Sequence, residues 1–333
     1  MTKWQFSSLF VVPIILLSSM FFGSLAIAQV QIDDELPSYK KVSGISGSIK
    51  SVGSDTMNNI MGLWTEKFRE YYPNVQSEVE GQGSSKAMPA LIQGAAAFGP
   101  MSRDAKDSEI NDFEKKYGYK PVMIPTSIDM LAVYVHRDNP IQSLTFEQID
   151  AIFSSTRKMG SKSAVTQWGQ VGLTGDFANA PITIFGRNAS SGTYGYFKEV
   201  VLGDGDYRNT INEQPGSSAV VQSVGENRFA IGYSGLGYKT ESVKIIALDE
   251  SSEGESVEAT SENAYNGEYP LSRYLFLAMN YKPNSELDPL RREFLKFVFS
   301  KEGQKAVVAD GYLPVNAEVA RESLEMLGIV PKF

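Results

Sequence analysis

The stretch Ile182-Thr183-Ile184-Phe185-Gly186-Arg187-Asn188-Ala189-Ser190-Ser191-Gly192-Thr193 changes character twice within one short span. Ile182 to Phe185 is β-branched and aromatic and reads as a strand. After the glycine, arginine and small hydroxyl residues, Tyr196, Phe197 and Val200 recur at helical spacing. A strand that turns through glycine and serine into a helix start is a junction suited to anions. The first N–H groups of the helix lack partners, its dipole is positive there, and hydroxyls add rotatable donors. Glycine lets an oxyanion approach the backbone closely. Arg187 supplies formal charge, and its planar guanidinium can give two parallel hydrogen bonds to one tetrahedral oxyanion. The plainer roles are a surface ion pair for Arg187 and ordinary N-capping for Ser190.

Two earlier junctions share this design. Gly53-Ser54-Asp55-Thr56 follows a predicted strand, Ile49 to Val52, and leads to a helix whose Ile60, Trp64, Phe68 and Tyr71 share one face until Pro73 stops it. Gly81-Gln82-Gly83-Ser84-Ser85 follows the alternating run Val75 to Glu80 and opens a helix reaching Gly94, with Met88, Leu91 and Ile92 apolar. Each also reads as a capped helix, Asp55 or Ser84 serving only its own first turn. Arg103, in Met101-Ser102-Arg103-Asp104, is a second arginine candidate with Asp104 and Asp107 at hand as ion-pair partners.

Strands alternating with helical patterns give an α/β chain, and 333 residues suffice for two cores of domain size. Val122 to Val135 is apolar except for Pro125, Ser127 and Asp129, which predicts a strand, a short break and another strand where the chain passes between two lobes. Thr145-Phe146-Glu147-Gln148 is a capping box ahead of Ile149, Ile152 and Phe153. Polar Ser154 to Thr174 reads as a surface excursion, and acidic Asp249 to Glu262 as a solvated loop. Leu275 to Met279 is a strand returning to the first lobe. Asp288-Pro289 opens a helix, and Gly311 and Pro314 close the helical end of the chain.

Composition excludes several classes. A net charge of −8 argues against a nucleic-acid backbone reader. The absence of cysteine removes disulfides, thiolate metal sites, a cysteine nucleophile and the lipid-bearing cysteine of a lipoprotein. A lone histidine, His136, makes a histidine-rich metal site untenable and reads as a strand-end surface residue. Gly232-Tyr233-Ser234-Gly235-Leu236 fails the nucleophile-elbow pattern at its last position, and no second histidine exists to activate a serine. At the N-terminus, Lys3, the apolar run Leu9 to Leu17 and Ala26-Ile27-Ala28 form a signal peptide cleaved before Gln29, which takes the formal charge from −8 to −9. The competing reading is an uncleaved anchor, since Trp4 to Gln31 carries no charge, although serines and a glycine interrupt it.

At these motifs the chain resembles the phosphate-binding component of bacterial ABC uptake systems, in its shorter form, within the periplasmic solute-binding superfamily. The resemblance runs from about Ser48 to the C-terminus. It rests on Gly53 to Thr56, Gly81 to Ser85, Gly99-Pro100-Met101-Ser102-Arg103, Arg187 to Thr193 and Tyr269-Pro270-Leu271-Ser272-Arg273. It implies a type II two-lobe fold with two crossing segments, near Asp129 to Tyr134 and Tyr269 to Phe276, and a ligand cleft between the lobes. The expected division is a signal peptide (1–28), an N-terminal tail (29–46), lobe one (47–131 and 270–333) and lobe two (132–269). The implied phosphate contacts are Ser54, Asp55, Thr56, Ser84, Ser102, Arg187, Ser191, Gly192 and Thr193, with no cofactor and no catalytic residue. One departure stands out: longer relatives place a proton-accepting aspartate in the Gly99 to Arg103 loop, where this chain has Ser102, and an acid occurs instead at Asp55. The implied setting is periplasmic, as a monomer, with an inner-membrane permease as partner. Another oxyanion (sulfate, molybdate or tungstate) is the nearest rival ligand, and an exported phosphatase the rival from another class.

Overall fold

The strand Val122–His136 is the spine of the molecule. In the computed structural model, which describes residues 30–251 and 254–331, this strand runs unbroken for 15 residues. Its first part pairs antiparallel with Ser272–Met279, and from Leu131 to Val135 it pairs antiparallel with Ala230–Gly235. The predicted break is therefore corrected. The register shifts between Leu275 and Phe276, opposite Pro125 and Ser127, so the proline sits at a bulge where a missing N–H is tolerated. Asp129 stays in the strand because it lies directly opposite Arg273. The order across the sheet is Gly99–Met101, Ser272–Met279, Val122–His136, Ala230–Gly235, Thr183–Arg187 and Asn212–Gln214.

Two of the cores that flank this spine among the described residues carry the two-lobe α/β architecture. The first is drawn from both ends of the chain, including Ile49, Trp64, Phe98, Leu275, Phe294 and Leu324. The second uses the middle of the chain, including Ala132, Tyr134, Val220, Val224 and Ala230. In the helix Asn58–Tyr71, Ile60, Trp64 and Phe68 are wholly buried at helical spacing, and the Trp64 indole N–H donates to the Gly303 carbonyl at 2.9 Å. The parallel pair Gly47–Val52 and Val75–Glu80 lines up beside it, so the loops that follow both strands emerge at the same end.

Three further expectations change. The segment expected as a tail packs onto the first core: Leu36 is buried in it, Asp33 accepts from the Ala317 N–H (2.8 Å), and the Tyr39 N–H donates to Glu302 (2.7 Å). The excursion after Ser154 is anchored by Trp168, fully buried, with its indole N–H on the Phe229 carbonyl at 3.0 Å. The chain does not end its helices at Pro314, because Asn316 caps a further helix, Ala317–Glu325, whose Ala320 and Leu324 pack into the first core. The signal segment, residues 1–28, lies outside the described residues. No helix among those described is long and apolar enough to cross a membrane.

Candidate functional site

Where the two lobes meet, the strand-to-helix loops converge. Thr183–Arg187 carries Arg187 at its end, and the next helix, Gly192–Val200, is capped by Ser191, whose Oγ accepts from the Thr193 and Tyr194 N–H groups at 3.2 and 3.4 Å. The cap is thus Ser191 rather than Ser190, whose hydroxyl turns back to Asn188 at 2.6 Å. From the first lobe, Ser54 Oγ donates to Ser102 Oγ at 3.0 Å, and Ser84 Oγ accepts from the Ser102 N–H at 3.0 Å. Thr56 Oγ1 and Thr193 Oγ1 lie 2.9 Å apart across the junction. Ser54, Thr56, Ser84, Ser102, Ser191 and Thr193 are all buried.

Gly192 shows why the sequence has glycine there. A Cβ at that position would stand 2.3 Å from Ser84 Oγ and 2.5 Å from Ser102 Oγ, so any side chain would hold the two walls apart. Gly83, at φ 102°, plays the same part from the other side, since its Cβ would fall 2.4 Å from the Ser190 carbonyl oxygen. That carbonyl accepts from the Ser85 N–H at 3.2 Å, a direct bond between loops of different lobes.

Arg187 is 2% exposed. Its guanidinium donates to Ser217 Oγ (2.6 Å) and the Pro215 carbonyl (3.4 Å) and faces Asp55 Oδ2 at 3.2 Å. Its Nε–H has no partner among the described residues. Burial pulls its pKa down and Asp55 opposes that pull. Asp55 Oδ2 also accepts from the Ser217 N–H at 3.0 Å, whereas Met57, the N-cap of the following helix, makes no side-chain capping bond. Asp55 therefore joins the lobes and does not cap its own helix.

The nine expected site residues, Ser54, Asp55, Thr56, Ser84, Ser102, Arg187, Ser191, Gly192 and Thr193, all lie in this cluster. Arg103 does not join them as a free donor: it forms a two-pronged pair with Glu109, both contacts at 2.8 Å, because the helix Asp107–Tyr117 swings Glu109 back over it in place of the expected Asp104 or Asp107 carboxylates.

A second buried guanidinium had not been expected here. Arg273 donates twice to Asp129 Oδ2 (3.1 and 2.7 Å), once to the Ser102 carbonyl (2.7 Å) and once to Thr193 Oγ1 (2.9 Å), so it ties both lobes to the crossing strands. Ser217 was likewise unforeseen. Its signal was present in Gln214-Pro215-Gly216-Ser217, one more strand-to-helix junction of the same kind.

Residues 40–302 match the model of the PBP superfamily domain. A phosphate-binding protein PstS of Pseudomonas aeruginosa is 54% identical over 304 residues, spanning 91% of this chain and 94% of that protein. The chain belongs to the PBP superfamily, in the family of the PstS phosphate-binding proteins. Among solved structures, one from Clostridium perfringens, assigned as a phosphate ABC transporter substrate-binding protein with bound phosphate, aligns at TM-score 0.67 and 29% identity over 81% of this chain and all of that one. An ABC-type phosphate transport receptor from Vibrio cholerae aligns at 0.63 and 28%, over 80% of this chain and all of its own. For this family member, the convergence of hydroxyl-lined helix starts on two buried arginines is the feature that needs a chemical explanation.

Proposed function

We propose that this chain captures inorganic phosphate between its lobes and delivers it to an ABC uptake permease, without turning it over. The observation that carries this reading is Arg187, a buried guanidinium with an unpartnered Nε–H, at the end of the strand that leads into the Ser191-Gly192-Thr193 helix start and facing Asp55 of the Ser54-Asp55-Thr56 loop. A desolvated cation with a donor to spare beside hydroxyl-lined helix starts is what a tetrahedral anion repays, and the 54% identical relative bears the name of a phosphate-binding protein. We assign phosphate contact to the nine residues of the cluster, and Asp55, alone among them in being an acceptor only, to reading the ligand's proton. The lobes in this reading are 47–131 with 270–333, and 132–269, so the anion bridges loops from both and favours their closure. Its setting is the periplasm, reached by cleavage of residues 1–28, and it acts as a monomer docking on an inner-membrane permease.

Calorimetric titration of the chain lacking residues 1–28 with phosphate, sulfate and molybdate tests the reading. Phosphate is expected to bind with one site per chain and far above the other two. Tighter binding of sulfate or molybdate would transfer the site to the rival oxyanion, and release of phosphate from a simple monoester, lost in Arg187→Ala, would make the protein a hydrolase.

A further inference from the structure

Away from the cleft, two arginines stand together without an ion-paired acid. Arg157 and Arg208 line a cavity of about 610 Å³ in the second lobe. They are brought side by side by backbone pairing: Ser154 bridges Tyr207, the Ser155 N–H donates to the Asp206 carbonyl (2.8 Å), and the Arg208 N–H donates to the Phe153 carbonyl (2.9 Å). Arg157 sits in the left-handed region at φ 52°, held there by Ser154 Oγ, which accepts from the Thr156 and Arg157 N–H groups at 3.0 Å each. A bulky residue in that conformation needs its surroundings to impose it.

Among the described residues neither guanidinium has a carboxylate within ion-pair distance. Arg157 donates to the Ser155 carbonyl at 2.8 Å and Arg208 to the Val165 carbonyl at 3.3 Å, and the Arg157 Nε–H is buried with no partner. Burial first, and then the field of Arg157, hold Arg208 below its usual pKa, so the two like charges feel each other. Asp150 reaches Arg157 only through its field, because its Oδ2 accepts from the Met159 N–H at 2.8 Å. Around the pair, Asn209 and Thr210 offer amide and hydroxyl donors, while the Ser155 and Thr166 hydroxyls on the same wall donate to the Asp206 carbonyl and to Gln170 Oε1. Tyr207 forms the wall toward the cleft, its hydroxyl bonded to Tyr233, which in turn accepts from the Arg187 N–H. The pocket is thus a separate place from the anion cleft.

Two half-buried, mutually repelling guanidiniums are a standing cost to the fold unless an anion lies between them. The room available exceeds what one tetrahedral oxyanion fills and suits a larger ligand. We infer that Arg157 and Arg208 form a second anion site, built for a small molecule that carries phosphate on a longer body, either a chain of linked phosphates or a phosphate monoester.

The test is calorimetry on the signal-free chain with the cleft saturated by inorganic phosphate, using tripolyphosphate in one arm and glycerol 3-phosphate in the other. Binding of either, one per chain, weakened at least tenfold by the double variant Arg157→Gln/Arg208→Gln and retained in Arg187→Ala, is the expected result. The arm that binds identifies the body the phosphate is carried on. The double variant should also keep its inorganic phosphate affinity and melt no lower than the parent, since removing the repulsion relieves the fold. Absence of binding in both arms, or binding that the double variant leaves unchanged, overturns the proposal. So does a double variant that melts clearly lower while its anion binding persists, which would make the arginines structural. Loss of binding in Arg187→Ala instead would place the ligand in the cleft.

Discussion

The crossing strands and the loop at the end of Thr183–Arg187 each bury one arginine, and the two are treated in opposite ways. Arg273 is satisfied by the protein itself, with four donated hydrogen bonds and Asp129, wholly buried, directly opposite in the sheet. Arg187 is buried more deeply than its partner Asp55, whose side chain is 26% exposed, and its Nε–H is left over. A guanidinium whose donors are taken up internally holds the structure, whereas one with donors in reserve holds something else. Substitutions at the first should therefore appear in stability and at the second in affinity.

The largest effect is expected at the crossing strands. Asp129→Asn leaves Arg273 buried without its counter-charge, and breaking such a pair costs about 3–5 kcal/mol. Urea denaturation should show that loss as a lower midpoint at unchanged slope. A midpoint equal to the parent's would mean that the Ser102 carbonyl and Thr193 hydroxyl alone satisfy Arg273, and the contrast with Arg187 would collapse.

Arg187→Ala comes next, and should weaken phosphate binding by about 2–5 kcal/mol while the urea midpoint moves little. Lysine should rescue only part of it, since a point charge cannot reproduce the fork. Calorimetry that finds a folded Arg187→Ala protein with unaltered affinity would remove this arginine from the site.

The contrast also explains what could be read from the sequence. Arg187 was legible because its setting is local: a strand, a glycine and a Ser-Gly-Thr helix start within a few residues. The three loops were legible for the same reason, and so was the α/β layering. Arg273 was not, although the Tyr269 to Arg273 motif had been singled out, because its meaning depends on Asp129, 144 residues away and joined to it only by antiparallel register. In the sequence Asp129 reads as a polar break in an apolar run; in the sheet it is a strand residue neutralised from across. Likewise Arg103 has acids at three nearby positions, and only the helix that starts at Asp107 decides that Glu109 takes it. Charges paired over long separations are hidden from local pattern, whereas a charge set inside a strand-to-helix junction is not.

Asp55→Asn refines the affinity side. Asp55 Oδ2 accepts from Ser217 in the facing loop, so the carboxylate both closes the junction and lies beside the arginine. Monohydrogen phosphate brings a proton that a carboxylate can accept, and sulfate brings none near neutral pH. Opposed acceptors cost about 1–3 kcal/mol, and asparagine can turn a donor toward the anion instead. The ratio of sulfate to phosphate dissociation constants is expected to narrow by that amount in Asp55→Asn. Equal weakening of both anions would show a residue that closes the lobes and does not read the proton.

The smallest effect concerns a half-buried acid, one of whose carboxylate oxygens is, like the Arg187 Nε–H, buried and short of a partner. Asp310 follows the helix Lys301–Ala309, and its Oδ2 is buried with no partner among the described residues. Burial pushes its carboxyl up to about 6. The folded chain therefore holds this proton more tightly than the unfolded chain does, which makes Asp310 a liability while it is ionised. That liability is fully present above about pH 6, shrinks as pH falls through that value, and is gone below the ordinary carboxylate range near 4. Asp310→Asn, which cannot ionise, should accordingly melt higher than the parent at about pH 8, with the difference shrinking toward about pH 4. No ligand is needed to see it, because the proton itself relieves the buried Oδ2 of Asp310. A melting difference that stays constant across that range would mean that Asp310 is as well solvated folded as unfolded, and that lacking a partner inside the protein is not enough to mark a charge as held in reserve.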